Sequence, residues 1–105
     1  MERICYTFDL KPGTENSYEV AHAQIWPSVV GAMREAGISN YSLFRRGLHV
    51  VAYGECVSSV TESMALLAAN IDNIRWSEFI QQLMVDPVDE NGVLLFPNEI
   101  WHLPD

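Results

Sequence analysis

A chain of 105 residues is about the modal size of one domain, so a single core over residues 1–105 without a linker is expected. Apolar residues make up 49% and charged residues 19%, the balance of a globular chain, and so small a domain is apt to be supplemented by a partner copy. With 14 acidic against 6 basic side chains and a net charge of −8, binding to a nucleic-acid backbone is excluded, while handling of a neutral small molecule fits.

Arg3 to Leu10 alternates, with Ile4, Tyr6, Phe8 and Leu10 on one face and Arg3, Cys5, Thr7 and Asp9 on the other, the pattern of a strand. Met1 leads straight into it with no basic segment or apolar run ahead, so no leader and a cytoplasmic location are expected. Lys11-Pro12-Gly13-Thr14 is turn chemistry, with Thr14 or Asn16 able to cap a helix. That helix is expected to run to about Ala36, with Tyr18, His22, Ile25, Val29, Met33 and Ala36 as its inner stripe and Gly37 just past its end. Pro27 inside it removes a hydrogen bond and crowds the carbonyl of Ala23, so the helix should kink or reset there and open a gap beside Tyr18 and His22. Trp26 is expected to continue the Tyr18–His22 face.

Asn40 to Arg45 reads as a second strand, Arg46-Gly47 as a tight hairpin and Leu48 to Glu55 as the third strand. Ser59-Val60-Thr61-Glu62 has capping-box spacing and opens a helix to about Ala69. Asp72 is placed as the cap of a third helix with Trp76, Phe79, Ile80 and Leu83 on its apolar face. The connection from Val85 to Asn98 contains Val93-Leu94-Leu95-Phe96, too apolar for a freely solvated loop, which should pack over an opening or a second subunit. Glu99 to Leu103 is expected as a closing strand. No apolar stretch approaches the ~20 residues of a membrane span.

The order β-α-β-β-α-β predicts an α+β fold, a ferredoxin-like antiparallel sheet with helices on one face. Both faces of the strands carry apolar or aromatic residues, so the face without helices should meet a partner or enclose a pocket. A homodimer with sheets face to face, a dimeric α+β barrel, meets that need.

Tyr18 and His22, four apart, stack on one helix face with Cβ atoms roughly 5–6 Å apart, a phenol and an imidazole able to exchange protons near neutral pH. Tyr6, Tyr41, Tyr53, Trp26, Trp76 and Trp101 complete a polar aromatic set that suits a sugar: ring faces meet C–H groups and polar tips meet hydroxyls. Each of these serves equally as core filling. Arg75 could orient a ligand hydroxyl or pair with nearby acids. Cys5 and Cys56 read as small thiols in strands, with a disulfide between adjacent strands possible in principle. His22, His49 and His102 lack metal-ligand spacing, so no metal and no cofactor are expected.

The run His22-Ala23-Gln24-Ile25-Trp26-Pro27, with Tyr18 upstream, resembles the H-x-x-I-W-P signature of the L-rhamnose mutarotase family. The resemblance extends through Gly37, Asn40-Tyr41, Arg75-Trp76 and Glu99-Ile100-Trp101-His102-Leu103-Pro104, nearly the whole chain. It implies a cofactor-free enzyme, dimeric, that interconverts the α and β anomers of a 6-deoxy-hexose. It also implies His22 as the central acid/base residue, with Tyr18, Tyr41 and Trp76 lining the sugar site. Such chemistry needs one base and one acid: a proton leaves the anomeric hydroxyl, another reaches the ring oxygen, and the open aldehyde recloses on its other face. His22 acts on either oxygen, with Tyr18 or Tyr41 as partner. Two departures broaden the expected substrate from L-rhamnose to L-fucose or a related sugar: Ser77 stands where family members often carry a second tryptophan or another large residue, and the Arg46-Gly47 hairpin is short. A cofactor-independent oxygenase or isomerase of the same architecture would instead need an apolar pocket without paired proton donors. A non-catalytic sugar-binding module would bind without accelerating exchange.

Overall fold

In the computed structural model, which describes residues 1–105, the strands are β1 (Glu2–Leu10), β2 (Ile38–Arg46), β3 (His49–Cys56) and β4 (Met84–Val85). The helices are α1 (Glu15–Ala23), α2 (Pro27–Glu35), α3 (Val60–Ala68) and α4 (Ile71–Ile80). The strands form one antiparallel sheet in the order β2-β3-β1-β4, the ferredoxin-like arrangement the sequence predicts.

β1 alternates as its pattern dictates: Ile4, Phe8 and Leu10 are buried, and Tyr6 shares their face half-buried. Opposite them on β3, Gly54 faces Ile4, Ala52 faces Tyr6 and Val50 faces Phe8. The small residues leave room above the sheet. A methyl group on Gly54 would lie only 2.8 Å from Cδ2 of Tyr41, so the missing side chain makes space for that ring. β2 reaches the same face by breaking its own alternation. Register slips between Ser39 and Ser42, and Asn40 takes a left-handed φ of 49°. The bulge turns both Ile38 and Tyr41, an odd number of residues apart, toward the inner face.

The long first helix of the sequence reading is two helices. α1 stops at Ala23, Trp26 is extended (φ −64°, ψ 130°), and Pro27 occupies the first turn of α2. Proline pushes the preceding residue out of helical geometry and loses nothing at a helix start, where its N–H would be unpaired anyway. This is the reset rather than the kink. Thr14 stands at the cap position, but its hydroxyl donates to the Lys11 and Leu83 carbonyls instead of capping α1. Ser59 does cap α3, accepting from the Glu62 N–H at 3.1 Å. α4 begins two residues earlier than expected. Asn70, not Asp72, caps it by accepting from the Asn73 N–H at 3.0 Å. The β2–β3 turn is Gly47-Leu48, with Gly47 at φ +60°.

The expected closing strand over 99–103 is not formed. β4 is Met84–Val85, delivered to the edge of β1 by a 3₁₀ turn directly after α4, where it pairs with Asp9 and Leu10. Proximity decides: α4 ends beside that edge, and Pro87 limits the strand to two residues. Residues 99–103 lie outside regular structure. Glu99 pairs with Arg3 at 2.6 Å, while Ile100 and Trp101 remain 95% and 71% exposed.

Two apolar clusters form under the helices. One joins Phe8, Leu10, Tyr18, Val29, Val50, Trp76, Ile80 and Met84; the other joins Ile4, Ala32, Ala36, Ile38, Cys56 and Leu67. Each fully buried Leu or Val contributes about 1.5–3 kcal/mol. Tyr6 packs against both clusters. Cys56 is buried on the inner face, Cys5 lies on the outer one, and both are free thiols, so no disulfide joins them.

Candidate active site

A cavity of about 550 Å³ is lined by members of both clusters. Tyr6, Tyr18, His22, Tyr41 and Trp76 all line it. β1 supplies Tyr6, α1 supplies Tyr18 and His22, the bulged β2 supplies Tyr41, and α4 supplies Trp76. The sequence spacing of Tyr18 and His22 becomes a direct contact, with ring centroids 4.3 Å apart. Trp76 meets the imidazole edge-on at 5.3 Å.

His22 Nδ1 lies 2.9 Å from the carbonyl oxygen of Tyr18. A carbonyl only accepts, so Nδ1 carries the proton and donates. In the neutral ring Nε2 then holds a free lone pair. Burial holds the imidazole pKa below its ordinary value of 6.5, and the bond to the Tyr18 carbonyl only partly offsets it. The ring is therefore neutral near pH 7, with its basic nitrogen unencumbered.

The tyrosines are proton donors in the same medium. Tyr18 is 4% exposed and its pKa is pushed up by burial, then by the neighbouring Tyr6. Its hydroxyl makes no hydrogen bond within the chain, yet no buried polar atom is left unpaired, so the hydroxyl opens onto the cavity. The hydroxyls of Tyr6 and Tyr41 hydrogen-bond to each other. Burial raises both phenols, and Tyr41 is raised further by Tyr6 and Tyr18. One donor of that pair remains free for a ligand.

Four sequence candidates lie elsewhere, the first being Tyr53, which faces the outer side of β3 and donates its hydroxyl to Glu55. Trp26, displaced from the α1 face by Pro27, packs on Trp76 at 5.2 Å and Phe79 at 5.9 Å, behind the cavity wall. Arg75 points to the exposed side of α4, and Trp101 sits in the C-terminal segment. Conversely, Asn73 and Ser77 on α4 and Gln81 at the start of the 3₁₀ turn after it line the cavity, four residues apart. Their regular polar spacing was visible in the sequence but overshadowed by Trp76 and Ile80. Met33, Ile38, Met64 and Leu67 form an apolar wall that the sequence reading assigned to no site.

The apolar run after β4 folds back over its own cavity. Val88 bridges to Leu94, and Asp89 secures the loop by accepting from the N–H groups of Asn91 and Val93. Pro87, Val88 and Leu94 reach the cavity, while Phe96 meets Tyr6 edge-on. No cluster of metal-ligating side chains is present. The arrangement can take a proton at Nε2 of His22 and supply one from a tyrosine, in a largely apolar chamber.

The sequence model of the L-rhamnose mutarotase family matches residues 3–103. An L-rhamnose mutarotase of Acidiphilium cryptum is 46% identical over 104 residues, covering 99% of this chain and 100% of its own. Among solved structures, an L-rhamnose mutarotase from Formosa agariphila superposes with a TM-score of 0.78 at 22% identity, covering 99% of this chain and 100% of its own. Tetracenomycin F2 cyclase from Streptomyces glaucescens, a type-II polyketide cyclase, superposes at 0.73 with 14% identity, over 100% of this chain and 99% of its own. At such identities the two structural likenesses establish the fold, a dimeric α+β barrel type.

Proposed function

Because this chain belongs to the L-rhamnose mutarotase family, isomerases acting on carbohydrates, we propose that it interconverts the α and β anomers of L-rhamnose by acid–base opening and reclosure of the ring. The observation that carries the mechanism is the orientation of His22, whose Nδ1–H is committed to the Tyr18 carbonyl and whose Nε2 is free. Nε2 takes the proton of the anomeric hydroxyl. The C1–O1 bond becomes a carbonyl as the C1–O5 bond breaks, and O5 takes a proton from the Tyr18 hydroxyl. An alkoxide is a stronger base than a phenolate, so this transfer runs downhill even from a raised phenol. Rotation about C1–C2 presents the other carbonyl face, and the same two proton transfers in reverse close the opposite anomer. The Tyr6–Tyr41 pair offers its free O–H to a ring hydroxyl, and Trp76 offers an apolar ring to the sugar's C–H groups.

The presence of paired proton donors and a free base favours this chemistry over the oxygenase reading. L-Fucose, which differs in hydroxyl configuration, is a second candidate substrate. We further read the outer face of the sheet as a homodimer interface. Phe44 on β2 is 61% exposed, and Ile100 and Trp101 add exposed apolar surface on the segment tied to Arg3. No helix is long and apolar enough to cross a membrane.

Saturation-difference proton NMR tests the activity. Transfer between the anomeric protons of L-rhamnose should appear with protein and be absent without it. Absence of transfer with L-rhamnose, L-fucose and related pyranoses would overturn the proposal. Sedimentation analysis tests the dimer, which Phe44→Glu should weaken.

A further inference from the structure

We propose that this site accepts 6-deoxy-hexoses bearing a short alkyl ether on a ring hydroxyl, and prefers one such ether to the unsubstituted sugar. The inference deepens the anomer-exchange reading and rests on it.

Size comes first. A dry cavity of ~150 Å³ holds one benzene, about 25 Å³ per heavy atom. A 6-deoxy-hexose has eleven heavy atoms and on that scale needs ~275 Å³. The cavity measures about 550 Å³, roughly twice that. The C6 methyl group, one heavy atom, does not account for the difference.

The chemistry of the wall says what the remainder fits. The acid–base groups come from α1, β1 and the bulge of β2, as Tyr18, His22 and the Tyr6–Tyr41 pair, while Ser77 and Gln81 add polar contacts from α4 and the turn after it. The wall built by Ile4, Met33, Ile38, Met64 and Leu67 has no hydrogen-bond donor and only weak sulfur acceptors. Asn73, beside it, gives one amide N–H to the Leu67 carbonyl at 3.2 Å and keeps its second N–H and its carbonyl oxygen, enough for one or two hydroxyls at the margin of the wall. Sugar hydroxyls turned against that wall would lose their water partners without replacement. An alkyl group loses nothing there, and the two methionines can adapt to its length.

The reaction fixes where the substituent is attached. Ring opening needs a free hydroxyl at C1, so an alkyl glycoside is excluded and the ether must lie on O2, O3 or O4. Rates of anomer exchange for L-rhamnose and its 2-, 3- and 4-O-propyl ethers test this directly. Each buried methylene is worth at most about fourfold, so three give a ceiling near 60-fold. The expected result is one regioisomer with kcat/KM at least tenfold above the parent sugar. Met64→Trp fills the apolar wall and should cut the ether-to-parent ratio at least tenfold; Met33→Trp does so from α2. The ratio within one preparation is independent of the fraction folded. If L-rhamnose exchanges and all three ethers are equal or slower, the inference is overturned while the proposed function stands. If no sugar exchanges, both fall.

Discussion

Gly54→Ala tests whether the space above the sheet is what positions Tyr41. The added methyl would lie 2.8 Å from Cδ2 of Tyr41 and 3.3 Å from Cγ2 of Ile4, against the ~3.5–4.0 Å of a relaxed carbon contact. The backbone of Gly54 is ordinary extended strand, so only the side-chain contacts carry a cost. Cδ2 sits near the root of the ring, and the far end is tied to Tyr6, so the ring must retreat as a body by about 1 Å. Overpacking of this kind costs about 1–3 kcal/mol, which lowers Tm by roughly 5–15 °C in a domain of this size. Misplacement of a substrate-contacting group by ~1 Å costs up to about 10²-fold in rate. Thermal melts and anomer exchange, measured well below Tm, separate the two effects. Repeating the substitution on Tyr41→Ala closes a double-mutant cycle, in which the Gly54→Ala cost should shrink to below ~0.5 kcal/mol. Wild-type Tm and exchange in Gly54→Ala, or an undiminished cost on Tyr41→Ala, would refute the role assigned to this glycine.

His22→Gln removes the free Nε2 base and should slow exchange by about 10²–10⁴-fold; a loss of less than tenfold would rule out His22 as the base. Because His22 titrates below 6.5, the acid limb of kcat/KM should lie below that pH, and burial of the tyrosines puts the alkaline limb above 10. The same shifts bear on stability. The unfolded chain takes up the His22 proton first as pH falls past 6.5, so stability should decline on that side until the folded histidine also titrates; the raised tyrosines make it decline above pH 10. Denaturant titrations across pH 4–11 read both slopes. Ser63 is buried and its hydroxyl donates to the Ala36 carbonyl at 2.7 Å, anchoring α3 to the end of α2. Ser63→Ala should cost about 1–3 kcal/mol by leaving that carbonyl unpaired, while Ser59→Ala, at an exposed cap, should cost about 1 kcal/mol.

Local pattern determined more of this protein than its size suggests. Alternation in Arg3 to Leu10 specified β1 and its inner face, and i,i+4 spacing was enough to bring Tyr18 and His22 into contact, because both rules depend only on backbone periodicity. Proline specified a break at residue 27 for the same local reason. What the sequence could not specify were features decided by elements distant along the chain. The parity switch at Asn40, which turns Tyr41 inward, exists because Gly54 on the next strand leaves the ring a place to go. The closing strand fell to Met84–Val85 because α4 ends beside the free edge of β1, although Glu99 to Leu103 had the more strand-like composition. Trp26, Arg75 and Trp101 had suitable chemistry, but the break before Pro27, the outward side of α4 and the unpaired C-terminal segment carried them away from the cavity. The tautomer of His22 was likewise invisible, since it depends on the ring turning back to reach the carbonyl of Tyr18 one helical turn earlier. Side-chain type and local period are written into a sequence residue by residue; which faces meet, and so which residues enclose a cavity, is settled only when the whole sheet and its helices pack together.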